Sequence, residues 1–152
     1  MSSDLSSSGG GITRKRVSTQ FDKVNATLAT ITGMTSPLAA GVTYGLEVAL
    51  HCNADATGGI KLAASSGDTL TASSIVIQAT AYDDLSVVIS GARLTALAST
   101  LTASGSAAIY AYMTGVITVG VSGTLAIQFA QSTANGTSSV LVGSTFNIWI
   151  IN

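Results

Sequence analysis

The chain alternates apolar and small polar residues in one short stretch after another, with very little charge. Of its six Lys and Arg and seven Asp and Glu residues, six lie within the first 23 positions and seven are spread over the remainder. Alternation of period two is typical of β-strands. A small β domain normally keeps one face of each sheet charged and solvated. This pattern predicts an all-β domain with at least one sheet face against another protein, and favours an assembly component over a self-sufficient enzyme.

The clearest predicted strand runs from Tyr44 to Cys52, with alternate residues on two faces. We also expect strands at Val17–Phe21 and at Ala26–Ile31, the latter ended by Gly33 and Pro37. Eight to ten strands and no helix are expected in all. Regularly spaced short strands with turn signals are typical of a sandwich or barrel, and the number fits a jelly roll.

A length of 152 residues fits a single domain. The sequence predicts a flexible Ser/Gly-rich arm over residues 1–16 and a β domain over residues 17–152. The arm ends in the basic run Arg14, Lys15 and Arg16. This run has two interpretations, a solvated entrance to the first strand or a tether that docks on an acidic neighbour.

Composition argues against several function classes. The net charge of −1 and pI near 5.5 speak against nucleic-acid binding, which needs a basic field. The apolar runs are broken well before the ~20 residues that a membrane-spanning helix needs. The beginning of the chain, Met1–Gly11, does not resemble a secretory signal.

Catalytic and metal-binding residues are sparse. His51 and Cys52 are adjacent, so on a strand they point to opposite faces and cannot form a nucleophile–base pair. A buried apolar Cys52 is the favoured interpretation. Asp83 and Asp84 could bind a hard cation, but adjacent acids at a hairpin more often form the turn. The glycan acceptor sequences at Asn25 and Asn135 are attributed to chance. We therefore expect no enzyme activity, no cofactor and no metal.

The aromatic residues suggest an interface. Tyr110 and Tyr112 share one face of their predicted strand, and Trp149 lies opposite Ile148 and Ile150. One face of each strand must fill the core, so the other displays large amphipathic rings, which are favoured in interfaces. The alternative is that these rings belong to the domain's own core under a loop. The uncharged neighbouring positions favour the interface.

Four segments together resemble the C1q/TNF-like jelly-roll domains of tailed-bacteriophage virion proteins, such as head decoration, head-fibre and tail-tip modules. They are Leu38–Val48, Asp55–Lys61, Gly123–Gln131 and Ser138–Phe146. The resemblance extends from about Val17 to the C-terminus. It consists of strand and turn residues and carries no catalytic motif.

The resemblance implies a two-sheet antiparallel jelly roll that forms a homotrimer about a threefold axis. It also implies that the strands Val17–Phe21, Ala107–Met113 and Phe146–Ile151 line that axis. Phe21 then joins Tyr110, Tyr112 and Trp149 as a trimer-interface candidate.

On this basis we expect a trimeric capsid decoration protein, made in the host cytoplasm and placed on the outer surface of the virion. Its partners would be itself and the major capsid protein, contacted through Arg14, Lys15 and Arg16. The alternative is a receptor- or glycan-binding tip that uses Tyr82 and the loops Asp55–Gly59 and Asn135–Thr137. Contacts with other virion proteins or with host surface glycans stay open at this point; nucleic acid and membranes are not expected partners.

Overall fold

The computed structural model describes residues 11–151, which are all strand, turn or loop with no helix. Twelve strands follow one another along this part of the chain. In order they are β1 Ile12–Arg16, β2 Phe21–Lys23, β3 Ala29–Leu38, β4 Thr43–Asn53, β5 Ile60–Ser66, β6 Thr71–Tyr82, β7 Val88–Leu94, β8 Thr100–Ala103, β9 Ala108–Val121, β10 Gly123–Ala130, β11 Ser138–Val140 and β12 Thr145–Ile150.

The strands form two antiparallel sheets. An eight-stranded sheet, the large sheet, has the order β1-β12-β4-β9-β6-β7. In addition, β11 pairs with β4, and β2 pairs with β11. A four-stranded sheet, the small sheet, has the order β3-β10-β5-β8. The expectation of an all-β, two-sheet antiparallel sandwich is confirmed.

The pairing is nested along the chain. Strand β6 pairs with β7, β5 with β8, β4 with β9, β3 with β10, and β1 with β12. One long hairpin, with the β6–β7 turn at its tip, is thus rolled so that its successive pairs alternate between the sheets. This connectivity is that of a jelly roll.

Period-two alternation places the core between the sheets. In β4, the residues Tyr44, Leu46, Val48, Leu50 and Cys52 are all buried, while Glu47 and His51 are exposed. The small sheet contributes Leu62, Leu101, Ile127 and Phe129 from the opposite side. Each such side chain stabilises the fold by roughly 1.5–3 kcal/mol on burial, which explains how a chain with 5% aromatic residues sustains a core.

The N-terminal boundary differs from the expectation. Residues 12–16, predicted as the end of a flexible arm, form β1 and pair with β12. Residues 1–10 of the predicted arm lie outside the described residues. The predicted strand at Val17–Phe21 is instead a loop in which Val17 is buried and residues 18–20 are exposed, and Phe21 begins β2. There the Val17 N–H donates to the Ser144 carbonyl at 2.8 Å, and the Val17 carbonyl accepts from the Gly143 N–H at 2.9 Å.

Strand β3 continues through Gly33 and Pro37, the two residues that were expected to end the predicted strand Ala26–Ile31. Gly33 has a φ of +85°, which only glycine adopts without strain, and it lies beside a register shift in the pairing with β10. Pro37 is tolerated because β3 is the edge strand of the small sheet, where a missing N–H costs no ladder bond. The two breaking residues therefore mark a bulge and an edge within one strand.

Candidate interaction face of the large sheet

The large sheet turns one face to the core and the other outward. The outward positions of its main strands line up in four register rows. The first row is Ile12, Trp149, Gly45, Val116 and Val76; the second is Arg14, Asn147, Glu47, Thr114, Gln78 and Arg93; the third is Arg16, Thr145, Ala49, Tyr112, Thr80 and Gly91; the fourth is His51, Tyr110, Tyr82 and Val88. We call this surface the outer large face.

Trp149 lies flat across the middle of the first row. A Cβ built on Gly45, its cross-strand partner, would stand only 2.5 Å from the indole Cε2. The indole ring can approach the β4 backbone this closely only because position 45 is a glycine. Beside the ring, Ile12, Arg14, Glu47 and Asn147 complete an open groove of about 390 Å³.

Three tyrosines cluster at the other end of the outer large face. Tyr110 and Tyr112 are 39% and 44% exposed. The rings of Tyr82 and Tyr112 meet edge to face at 6.0 Å, and His51 meets Tyr110 at 4.7 Å in the same geometry. Such pairs hold aromatic rings in fixed orientations. With Asp84 and Ser86, the tyrosines line an open groove of about 400 Å³, the tyrosine groove.

The hairpin tip beside this groove is held by one carboxylate. Asp83 accepts hydrogen bonds from the backbone N–H groups of Leu85 and Val87, each at 2.9 Å. Ser86, between them, has a φ of +64°, a strained conformation for a residue with a side chain. Asp83 is thus a turn former, whereas Asp84 is exposed and faces the groove.

The outer face of the small sheet has a different composition. Its outward register positions hold mainly small or polar residues, namely Thr30, Thr35, Pro37, Lys61, Ala63, Ser65, Thr100, Thr102, Thr124, Ala126 and Gln128. Of these, Ala63 and Ala126 are buried beneath their neighbours. Among residues 11–151, the exposed large apolar side chains all lie outside the strands of the small sheet. Six of them, Ile12, Val76, Val88, Tyr110, Tyr112 and Val116, belong to the outer large face.

The predicted interface residues divide into two groups. Tyr110, Tyr112 and Trp149 are brought together on one face of one sheet, outside the core. Phe21 is separate from them, because its half-buried ring packs edge to face against the core residue Phe129 at 6.5 Å. Phe21 therefore contributes to the domain's own packing, and its part in a trimer interface stays a prediction.

The basic run is also divided, because β1 alternates. Arg14 and Arg16 stand opposite Asn147 and Thr145 on the outer large face. Lys15 stands opposite the buried Phe146 and so leaves the sheet on the other side. The three cations do not form a single basic patch.

The two loops considered for ligand recognition lie side by side. The Thr133 N–H donates to the Gly58 carbonyl at 3.0 Å, and the Asp55 N–H donates to Ser138 Oγ at 3.1 Å. The Asp55 carboxylate accepts from the N–H groups of Thr57 and Gly58. These polar groups are occupied in holding the loops together, and Tyr82 belongs to the tyrosine groove instead.

The residues considered for catalysis do not converge. Cys52 faces the core, where burial raises the pKa of its thiol to about 12, while His51 is exposed on the opposite face. Within residues 11–151 no three His, Cys, Asp or Glu side chains are grouped as metal ligands. No membrane-spanning helix was found in the same part of the chain.

Sequence reasoning missed part of the outer large face. Ile12 was placed in the arm, and Val76 and Val116 were not singled out. Their positions on one face depend on β1, β6 and β9 joining the large sheet, which is long-range information. The one local signal was the alternation of Val76 with Ile75 and Ile77.

Comparison with known proteins yields distant structural matches only. No family model matches the chain, and no curated protein matches it. One solved structure, the infectious bursal disease virus VP2 subviral particle, aligns with 8% identity and a TM-score of 0.26 over 93% of this chain and 41% of that chain. The infectious bursal disease virus Gt strain aligns with 10% identity and a TM-score of 0.25 over 93% of this chain and 42% of that chain.

The chain thus spans about two-fifths of the length of the viral proteins that it matches. Similarity at these TM-scores establishes neither a shared fold nor a shared function. What the chain can do must follow from its own surfaces.

Proposed function

We propose that this chain is a non-enzymatic virion structural protein that forms a homotrimer through the outer large face. The proposal depends on one observation, the set of exposed aromatic and branched side chains on that face. A single soluble domain rarely exposes so many large apolar side chains on one sheet face unless a partner covers them. Tyr and Trp are also the residues that most often dominate binding energy at interfaces.

The composition of the face suits contact with an identical partner. Its central positions include Ala49 and Thr114, whose small side chains allow a neighbouring surface to come close. Its two grooves give ring edges from another copy somewhere to fit. With threefold cyclic symmetry, each copy contacts two neighbours around the axis, so the apolar face of every copy is covered.

The capsid role rests on the resemblance of Leu38–Val48, Asp55–Lys61, Gly123–Gln131 and Ser138–Phe146 to phage virion modules. A trimer would match threefold positions of a capsid lattice. Three N-terminal segments attached at once would raise avidity without strong individual contacts. On this proposal, the segments preceding β1 contact the major capsid protein on the outer surface of a tailed bacteriophage, together with Lys15, which leaves the sheet on the side away from the outer large face.

A mass measurement by light scattering across micromolar concentrations tests the trimer. We expect three chains per particle, and a monomer throughout would contradict the proposal. Deletion of residues 1–10 tests the capsid contact while leaving β1 in place. The deleted form should remain trimeric and lose its binding to capsids that lack decoration; a deleted form that still binds them would contradict a capsid contact through the N-terminal segment.

A receptor- or glycan-binding tip is the second candidate. It is favoured by the tyrosine groove, since aromatic rings beside a carboxylate and a hydroxyl suit a sugar. Glycan-array binding that Tyr82→Ala abolishes, together with no affinity for capsids, would support this function over decoration.

A further inference from the structure

This inference rests on the proposed trimer and gives its contact a direction. We infer that the basic edge of one copy, Arg14 and Arg16 on β1, docks against the tyrosine groove of the next copy. Arg16 is the residue that enters the groove. The trimer contact is then head to tail, with different residues on its two sides.

The basic edge faces no opposite charge on the strand it pairs with; Glu47, one strand further on, lies near Arg14 in the groove beside Trp149 and shares no row with Arg16. Strand β1 is at the end of the large sheet, and within residues 11–151 its ladder partner is β12 alone. The residues directly across from Arg14 and Arg16 are the uncharged Asn147 and Thr145. A cation at the margin of an apolar face loses hydration when the face is covered, so it needs a partner there.

The tyrosine groove offers the complementary chemistry. Its lining residues Tyr82, Asp84, Ser86, Tyr110 and Tyr112 include one carboxylate and no cation. Because Asp83 is occupied by the turn, Asp84 is the carboxylate free to receive a charge. A guanidinium stacks on tyrosine rings and pairs with a carboxylate in one plane, which an ammonium does not do as well.

The two sites lie near opposite edges of the same face. Strand β1 is the first strand of the large sheet, and the groove borders β6 and β7, which are the last. When three outer large faces turn inward around a threefold axis, the β1 edge of each copy meets the β7 edge of its neighbour. A contact between unlike patches closes into a ring under this symmetry.

Register identifies Arg16 as the inserting residue. Along the large sheet Arg16 shares its row with Tyr112 and Gly91. Gly91 has no side chain, and a Cβ there would contact little besides the Ala79 carbonyl at 3.7 Å, so this point of the β7 edge is open. Arg14 shares its row with Arg93, a like charge, and is less well matched.

Charge reversal with restoration tests this docking in the full-length chain. The variants are Arg16→Glu, Asp84→Lys and the double variant, with Lys61→Glu on the small sheet as the control. Each single reversal should weaken trimer formation about tenfold or more, and the double should return to within about threefold of the original. The control should leave it unchanged.

The outcomes separate the two proposals. A monomeric parent chain would contradict the trimer itself. The docking alone would be contradicted if the parent chain is a trimer and neither reversal weakens its trimer formation. It would also be contradicted if trimer formation by the double variant is weakened by as much as the two single effects combined.

Cross-linking provides a second measurement that does not depend on charge reversal being tolerated. An Arg16→Cys/Asp84→Cys variant should give covalent trimers with a short bis-maleimide, since an Arg–Asp contact separates the backbones beyond the reach of a disulfide. Cys52 is buried and does not compete. A Lys61→Cys/Asp84→Cys variant should remain uncross-linked; equal cross-linking of both pairs, or of neither, would overturn the docking.

Discussion

The two sheets of the sandwich carry opposite kinds of outer surface. The outer large face displays Trp149, two exposed tyrosines and several exposed valines, while the small sheet displays mainly Thr, Ser and Gln. The outer large face also carries Arg14, Arg16, Glu47 and Arg93, whereas Lys61 is the one charged residue among the outward positions named for the small sheet. The difference shows that low charge alone does not mark an interface, because small hydroxyl side chains can meet water without cost whereas branched and aromatic ones cannot.

The largest expected effect is the difference in self-association between a variant with new charges on the outer large face and one with new charges on the small sheet. Tyr112→Glu with Trp149→Glu should weaken self-association about 100-fold or more, because two aromatic contacts are lost and two carboxylates must be desolvated. The matched pair Thr35→Glu with Thr102→Glu, on the small sheet, should change association little. Sedimentation velocity over a concentration series measures both, and equal losses would remove the distinction between the faces.

Thiol reactivity distinguishes dissociation from unfolding in those variants. The Cys52 thiol is buried and its pKa is raised to about 12, so a folded monomer should stay unreactive towards iodoacetamide at pH 8. Rapid labelling of the Tyr112→Glu, Trp149→Glu variant would mean that it had unfolded, and the association result would then say nothing about the face.

The seat of Trp149 provides a sharper test with a smaller effect. Gly45→Ala forces a methyl group into the indole and should lower the free energy of unfolding by about 1–3 kcal/mol. Gly67→Ala is the control, since its Cβ would meet Thr124 atoms only at ordinary contact distances of 3.5 Å and more. Urea denaturation measures both, and the Gly45→Ala, Trp149→Ala double variant should relieve the steric conflict.

The smallest effect concerns a carboxylate at the rim between the sheets. The Thr124 N–H, 2.8 Å from Asp68 Oδ1, lowers the pKa of that carboxyl below its ordinary value of 3.8. The stabilisation is therefore complete above the pKa of the unfolded chain and is lost as pH falls through the lower folded value. Asp68→Asn should flatten this part of the pH dependence of the melting temperature, and an unchanged profile would contradict the assignment.

Local periodicity predicted much of the face. The Tyr44–Cys52 alternation is present in β4 as expected, and Tyr110, Tyr112 and Trp149 share one outer surface because period two fixes which side of a strand each residue takes. The resemblance implied that the strands of these three residues share a sheet. The pairing of β4 with both β9 and β12, which brings them together, is seen only in the structure.

Failures of the sequence analysis occurred where two patterns competed. Val17–Phe21 alternates as a strand does, yet Val17 is held by a loop and Phe21 turns into the core against Phe129. Ile12–Arg16 was masked by the adjoining Ser/Gly-rich composition. Gly33 and Pro37 suggested strand ends, but both lie within β3, Gly33 at a bulge and Pro37 on an edge strand. In each case a tertiary contact overrode local propensity.

The nested pairing of the strands has a consequence for how the chain acquires its structure. Closing β6 against β7 joins residues that are near in sequence, and each further closure outward then has a shorter effective loop to overcome. We expect amide protection to appear first around the Asp83 turn and last between β1 and β12. The basic edge that we assign to the subunit contact would then be completed only after the rest of the domain is in place, which would delay self-association until folding is almost finished.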